Sequence, residues 1–142
     1  MSIWKRDFTL ESINQSSANT LIELLGIRYS HIGDDFLQAT MAVGPTTHQP
    51  MGLLHGGASV VLAETLGSVA GNMCVSREHS CVGLEINANH VRAKRDGVVT
   101  GTARPLHLGA TTQLWQIDIH DEKDHLVCTS RLTLAVRQPK RG

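Results

Sequence analysis

Apolar and polar residues alternate with a period of two on both sides of one long segment near the middle of the chain. Such alternation is typical of strands that bury one face. The pattern predicts two strands before the long segment and four after it, at 25–30, 37–43, 82–88, 98–103, 115–119 and 126–136. Asp96–Gly97 and the charged cluster over 121–124 are turn signals between the later strands. A largely antiparallel sheet of about six strands follows.

The long segment has helical periodicity and predicts one helix over 56–74, roughly 30 Å in length. Apolar residues recur along it at spacings of three and four and form one stripe, which needs a sheet to cover it. The stripe contains Ala58, Val61, Leu62, Thr65, Leu66, Val69 and Met73. A weaker amphipathic pattern over 10–22 predicts a short helical element before the first strand. The predicted fold class is therefore α+β, with one antiparallel sheet wrapped around a single long helix.

The 142 residues contain no internal repeat, low-complexity block or long charged run. With 41% hydrophobic residues, a chain of this length can build one core. We therefore expect a single domain over 1–137. The polar, proline-containing end over 138–142 predicts a disordered tail.

Charge and cysteine content exclude several classes of protein. With 13 basic and 13 acidic residues the chain has no electrostatic footprint for nucleic acid, and no apolar stretch approaches the ~20 residues that span a bilayer. Cys74, Cys81 and Cys128 are odd in number and form no C-x-x-C pair, so no disulfide framework or zinc site is expected. The eight histidines show no metal-ligand spacing. A cytoplasmic protein without metal, membrane or nucleic acid is predicted.

Two features of the long helix suggest chemistry. Projected at 100° per residue, Glu64 shares a face with small residues, namely Gly57, Val60, Gly67, Ser68 and Gly71. Glycine in a helix costs about 1 kcal/mol relative to alanine, so this face indicates close approach of another backbone or a ligand. The alternative is a solvent-exposed glutamate on a small-residue face.

The second feature is the helix start, where Leu53-Leu54-His55-Gly56-Gly57 presents unpaired N–H groups at the positive end of the helix dipole. The Gly56 N–H is a candidate oxyanion-hole donor for a carbonyl oxygen. Taken alone, His55 is equally a capping or packing residue, and Gln49 an ordinary loop residue.

Two segments resemble the signature of the hotdog acyl-CoA thioesterases, QPMGLLHGGAS over 49–59 and LAETLGS over 62–68. The similarity extends along the chain through IWKR at 3–6, HIGDD at 31–35, VGLEINANH at 82–90 and PLHLG at 105–109. These segments resemble the bacterial branch that contains the 1,4-dihydroxy-2-naphthoyl-CoA thioesterases of menaquinone synthesis and the proofreading thioesterases of enterobactin synthesis. The NANHVR stretch over 87–92 is more similar to the menaquinone members.

The resemblance implies a hotdog fold, an acyl-CoA substrate with an aromatic acyl group, and no cofactor. It implies that Glu64 is the nucleophile or general base and that Gln49 orients the thioester or the attacking water. The other catalytic positions it implies are His55 and Gly56 beside the carbonyl, Ser68 beside the carboxylate, and His90 near the reacting group. Substrate or CoA contacts are expected from Met51, Arg92, His107 and Gly109. The resemblance places the site at a dimer interface, with the carboxylate on one subunit's helix and Gln49 and His55 from the other. The homo-oligomer is expected to be a dimer of dimers.

Other readings predict different chemistry. A proofreading or broad-range acyl thioesterase fits the same motifs. A hotdog dehydratase is disfavoured, because dehydratases of this fold carry His-Phe-Pro followed by Pro-Gly, whereas this chain reads Gln-Pro-Met-Gly-Leu-Leu-His-Gly-Gly over 49–57. A non-catalytic acyl-CoA-binding module is the third alternative, and the joint presence of Gln49, His55 and Glu64 argues against it.

Overall fold

The computed structural model describes residues 1–138, which form three helices and six strands. The helices are α1 (Leu10–Ser16), α2 (Leu21–Leu24) and α3 (Gly56–Met73). The strands are β1 (Arg28–Ile32), β2 (Leu37–Ala42), β3 (Ser80–His90), β4 (Val98–Leu108), β5 (Thr112–His120) and β6 (Leu126–Arg137). All pairs are antiparallel, and the sheet order is β1-β2-β4-β5-β6-β3. The predicted α+β fold, with six strands and one long helix, is confirmed.

Helix α3 is the centre of the core, and the sheet curves around it. His55 caps its first turn by accepting a hydrogen bond from the Gly57 N–H at Nδ1, at 2.8 Å. Leu62 and Leu66 are fully buried against inward-facing residues of the sheet such as Trp115 and Leu132. Removing such apolar side chains from water contributes roughly 1.5–3 kcal/mol each, which fixes the helix against the sheet.

The structure corrects the predicted role of two helix glycines. Gly67 and Gly71 are buried on the core side of α3, and a Cβ atom on either would overlap the side chain of Leu132 or Leu134 in β6. The close approach that these glycines permit is therefore that of the sheet's own leucines. Gly67 and Gly71 were predicted to share a face with Glu64, but in the structure both belong to the core.

Most strand ends differ from the prediction by one to five residues, and the differences at β1 and β4 have a local cause. The alternation at Leu25–Ile27 belongs to a turn, because Gly26 has a φ of +71°, and β1 begins only at Arg28. Strand β4 continues five residues beyond the predicted Ala103, to Leu108, with an irregularity between Pro105 and His107. Proline is tolerated in a strand at such an irregularity, where its missing N–H is not needed.

Strands β1 and β3 form the two edges of the sheet within residues 1–138. The β3 edge exposes apolar side chains, with Leu84 62% and Val82 41% exposed. A long exposed apolar edge is a template for pairing with another strand. The predicted tail over 138–142 lies outside the described residues except for Gln138, whose Oε1 is 3.0 Å from His79 Nε2. No helix in the described part of the chain is long and apolar enough to cross a membrane.

Candidate active site

The loop before α3 is a tight turn that orients Gln49. The Gln49 N–H donates to the Leu53 carbonyl and the His55 N–H to the Thr47 carbonyl, each at 2.8 Å. Between them Gly52 has a φ of +74°, in the left-handed region that glycine adopts without strain. The QPMG part of the sequence motif is thus a turn that fixes the residues leading into the helix.

A second loop, 91–97, supports this turn from outside. The Leu54 N–H donates to the Lys94 carbonyl at 2.8 Å, and His48 Nε2 lies 2.7 Å from the Arg95 carbonyl. The Lys94 ammonium pairs with the Glu122 carboxylate, which also accepts from the Val98 N–H. This ion pair is the main reason that the pKa of Glu122 is lowered to about 2. The charged turn between β5 and β6 therefore anchors the loop that holds the motif.

Four predicted site residues line one cavity of about 390 Å³, here called the Gln49 cavity: Gln49, Gly56, His90 and Arg92. Gly56 leaves room for the exposed His90 ring, since a Cβ atom at this position would lie 2.8 Å from His90 Nε2. The motif glycine thus lets the histidine ring at the end of β3 reach the start of α3. The structure brings Gln49, Gly56 and His90 together around this cavity, and their catalytic roles stay predictions.

The start of α3 leaves one backbone donor for a ligand. The Gly57 N–H is taken by His55 Nδ1, and the Ala58 and Ser59 N–H groups donate to the His55 carbonyl. The Gly56 N–H, as the first of the helix, has no acceptor four residues earlier. Located at the positive end of an 18-residue helix and lining the Gln49 cavity, it is suited to stabilise a developing oxyanion.

Glu64 lies in a different cavity of about 480 Å³, here called the Glu64 cavity. Ser68 lines it one helical turn further on, and the remaining walls are mainly apolar: Leu21, Ile22, Val61, Thr65, Val69 and Gly83. Gly83 of β3 lies beside the carboxylate, since a Cβ atom on it would lie 3.1 Å from Glu64 Oε2. A carboxylate beside an apolar wall is an arrangement that can act on the carbonyl of an apolar acyl group.

Within one chain the two cavities cannot act on the same carbonyl. Glu64 is eight residues beyond Gly56 on α3, which separates their Cα atoms by roughly 12 Å along the helix axis. A reacting atom has to lie about 3 Å from both a catalytic carboxylate and an oxyanion donor. In the single chain, the Glu64 carboxylate and the Gly56 N–H therefore belong to two separate cavities.

A cysteine nucleophile is disfavoured at either cavity. Burial raises the pKa of the Cys74 thiol to about 12 and also raises the pKa values of Cys81 and Cys128. All three thiols are protonated at neutral pH and are poor nucleophiles. Among residues 1–138 there is no group of three or more His, Cys, Asp and Glu side chains that could hold a metal ion.

The other predicted contacts lie apart from these cavities in the single chain. His55 is used as the helix cap, and Met51 lies at the exposed tip of the turn, 72% accessible. His107 and Gly109 are at the β4–β5 turn, where the Gly109 N–H donates to the Thr112 carbonyl at 2.9 Å. Their contacts with a substrate stay predictions.

Sequence reasoning missed Gly83 and the apolar wall from α2. An isolated glycine within a strand pattern is a signal of close approach, so Gly83 could have been identified from the sequence. Leu21 and Ile22 gave no such signal, because only the tertiary structure places α2 beside Glu64.

A single antiparallel sheet wrapped around one long helix is the hotdog arrangement, and comparison with known proteins gives the same result. The family model described as the thioesterase superfamily matches residues 51–128. The chain is 59% identical to the 1,4-dihydroxy-2-naphthoyl-CoA hydrolase of Escherichia coli, over 94% of this chain and 98% of that protein. It is 55% identical to the proofreading thioesterase EntH of Cronobacter turicensis, with the same coverage.

The crystal structure of a thioesterase from Haemophilus influenzae superimposes with a TM-score of 0.96 at 50% identity, covering 98% of this chain and 97% of that one. The chain belongs to the thioesterase superfamily. It is accordingly an enzyme, a hydrolase of thioesters.

Proposed function

We propose that the protein hydrolyses aromatic acyl-CoA thioesters, with 1,4-dihydroxy-2-naphthoyl-CoA of menaquinone synthesis as the first candidate, at sites formed between two copies of the chain. The observation that carries the proposal is the division of the site residues between the Glu64 and Gln49 cavities. The 59% identity to an enzyme of that name supports the choice of acyl group.

Pairing of two copies along the β3 edge would join the Glu64 cavity of one copy to the Gln49 cavity of the other. Gly83, near one end of β3, faces Glu64, and His90 at the other end faces Gly56. If a second copy pairs antiparallel with β3 about a twofold axis near residues 86 and 87, the partner's His90 comes opposite Gly83. Glu64 then faces the partner's Gly56 and the partner's Gln49, and two equivalent complete sites result.

In this arrangement each residue has a defined task. The Glu64 carboxylate either attacks the thioester carbonyl carbon or takes a proton from a water that attacks it. The partner's Gly56 N–H stabilises the oxyanion, and the partner's Gln49 orients the thioester or the water. The C–S bond breaks, and the thiolate of CoA leaves and is protonated. In the general-base route this step gives the carboxylate product directly, whereas in the nucleophilic route it leaves a mixed anhydride on Glu64, which water hydrolyses to the carboxylate product and free Glu64. Arg92, exposed at the mouth of the Gln49 cavity, is proposed to contact CoA phosphates.

The proposed assembly predicts at least a dimer in solution and, from the family resemblance, a dimer of dimers. The exposed apolar side chains of Val82 and Leu84 become covered when β3 pairs with its copy. Light scattering coupled to size exclusion measures this directly against the chain mass of 15.4 kDa. A monomer with full activity would rule out the shared site.

The experiment that tests the reaction is a thiol-release assay over a panel of acyl-CoAs. We expect 1,4-dihydroxy-2-naphthoyl-CoA or benzoyl-CoA to exceed straight-chain acyl-CoAs in kcat/KM by about 10- to 200-fold, the range that shape alone delivers in an apolar pocket. A ranking with medium-chain acyl-CoA above every aryl substrate would refute the aromatic assignment but keep the thioesterase.

A proofreading role is the second candidate, because the chain is 55% identical to EntH of C. turicensis. Comparable turnover of many aryl thioesters, without preference for the naphthoyl ester, would favour that role. We propose a cytoplasmic location, which the free thiols of Cys74, Cys81 and Cys128 support.

A further inference from the structure

Each edge of the sheet is bonded by one asparagine side chain from a helix. On the β1 edge, Asn14 of α1 accepts from the Tyr29 N–H at 2.9 Å and donates to the Tyr29 carbonyl at 3.1 Å. On the β3 edge, Asn72 of α3 accepts from the Cys81 N–H at 2.9 Å and donates to the Cys81 carbonyl at 3.3 Å. A carboxamide offers the same donor and acceptor as a peptide group, so each asparagine replaces one residue of a neighbouring strand.

The two asparagines differ in what else they hold. Asn72 follows Glu64 and Ser68 at spacings of eight and four, which puts the three residues along one side of α3. Its Nδ2 also donates to the Ser68 carbonyl at 2.8 Å, and Cys81 is only two residues before Gly83, the neighbour of the Glu64 carboxylate. Asn72 thus links the helix that carries Glu64 to the strand edge beside it. Asn14 links α1 to the opposite edge.

We propose that Asn72 is a positioning residue for the shared site, an inference that rests on the proposed function. By occupying the N–H and carbonyl of Cys81, it closes the β3 edge at that residue, and a second copy pairs with β3 only beyond it. A pairing shifted by two residues would move the partner by roughly 7 Å along the strand. Glu64 would then lose its alignment with the partner's Gln49, since a displacement of even ~1 Å can cost about 100-fold in rate.

The test compares Asn72→Ala with Asn14→Ala, which removes the same two bonds from the other sheet edge. Amide hydrogen exchange should quicken at Cys81 in the first variant and at Tyr29 in the second, which shows that each edge has been opened. With benzoyl-CoA as the probe, we expect kcat to fall at least about 10-fold in Asn72→Ala with KM changed less than about threefold. Asn14→Ala should keep kcat within about twofold at a similar loss of thermal stability.

Equal kcat values in the two alanine variants would overturn the inference. If Asn72→Ala does not fold, Asn72→Asp replaces it, since Asp retains the acceptor for the Cys81 N–H but not the donor. Its kcat should lie below that of the wild type, and an unchanged kcat would equally overturn the inference. Failure of the proposed function is distinct, because it appears in the wild-type protein as an absence of thiol release that depends on Glu64.

Discussion

Replacing Glu64 by glutamine should lower kcat for benzoyl-CoA by at least roughly 100-fold while fold and substrate binding are kept. The amide has nearly the same shape as the carboxylate but neither attacks a carbonyl nor accepts a proton from water at neutral pH. Glu64 is exposed in the single chain and lines an open cavity, so its replacement leaves the core untouched. Steady-state thiol release measures the loss, and isothermal titration with a non-hydrolysable acyl-CoA analogue measures binding.

Glu78→Gln is the matched control, because it removes one exposed carboxylate from the loop between α3 and β3, outside both cavities. Its kcat should equal that of the wild type. Near-normal turnover in Glu64→Gln would contradict the mechanism and show that the carboxylate has no catalytic role.

A heterodimer of two inactive variants should recover activity. Glu64→Gln and Gln49→Ala are each expected to be weak enzymes as homodimers, because every site then lacks either the carboxylate or the orienting amide. A heterodimer has one site with both defects and one site with none, because an isologous interface draws Glu64 from one copy and Gln49 from the other. Co-expression with two different tags and tandem purification should give up to about half of the wild-type activity.

The activity of the heterodimer is compared with the mean activity of the two homodimers. If Glu64 and Gln49 of the same chain worked together, each heterodimer site would carry one defect, and activity would not exceed that mean. A double variant with both substitutions in one chain, paired with wild-type chain, is the complementary control. If each site needs one residue from each copy, both sites of this pair carry one defect, and its activity should not exceed the mean of the two homodimers; about half of the wild-type activity would instead show that both residues come from the same chain. A site formed within one chain would not give a heterodimer more activity than the two homodimers have.

The sequence predicted the architecture because the fold depends on regular periodicity. Alternation identified the strands, and only features that periodicity does not encode were misplaced, such as the positive φ at Gly26 and the passage of β4 through Pro105. The helical projection was less successful, since it places Glu64 and Gly71 only about 20° apart. In the structure one is exposed and the other buried, because the curved sheet covers different sides of α3 at different heights.

The residue pattern predicted the members of the site, whereas their arrangement across two subunits came only from the family resemblance. The motif around Gln49 and Gly56 identified groups that the fold does bring together with His90. The family resemblance assigned Glu64 and Gln49 to different subunits, and the helix rise alone separates Glu64 from Gly56 within one chain. Strand pairing between two copies decides which residues complete a site across a symmetry axis. The hydrophobic pattern of one chain does not show how the copies pair. Asn72 could not be identified from the sequence either, because only the tertiary structure places its side chain against Cys81.

The buried cysteines have a consequence for an enzyme whose substrate is itself an activated acyl group. A thioester transfers its acyl group readily to any exposed thiolate, and the released CoA can form mixed disulfides with protein thiols. Cys74, Cys81 and Cys128 are each less than a tenth accessible, and burial holds them in the protonated form. We therefore expect the three thiols to stay unacylated and reduced while the enzyme handles reactive acyl groups.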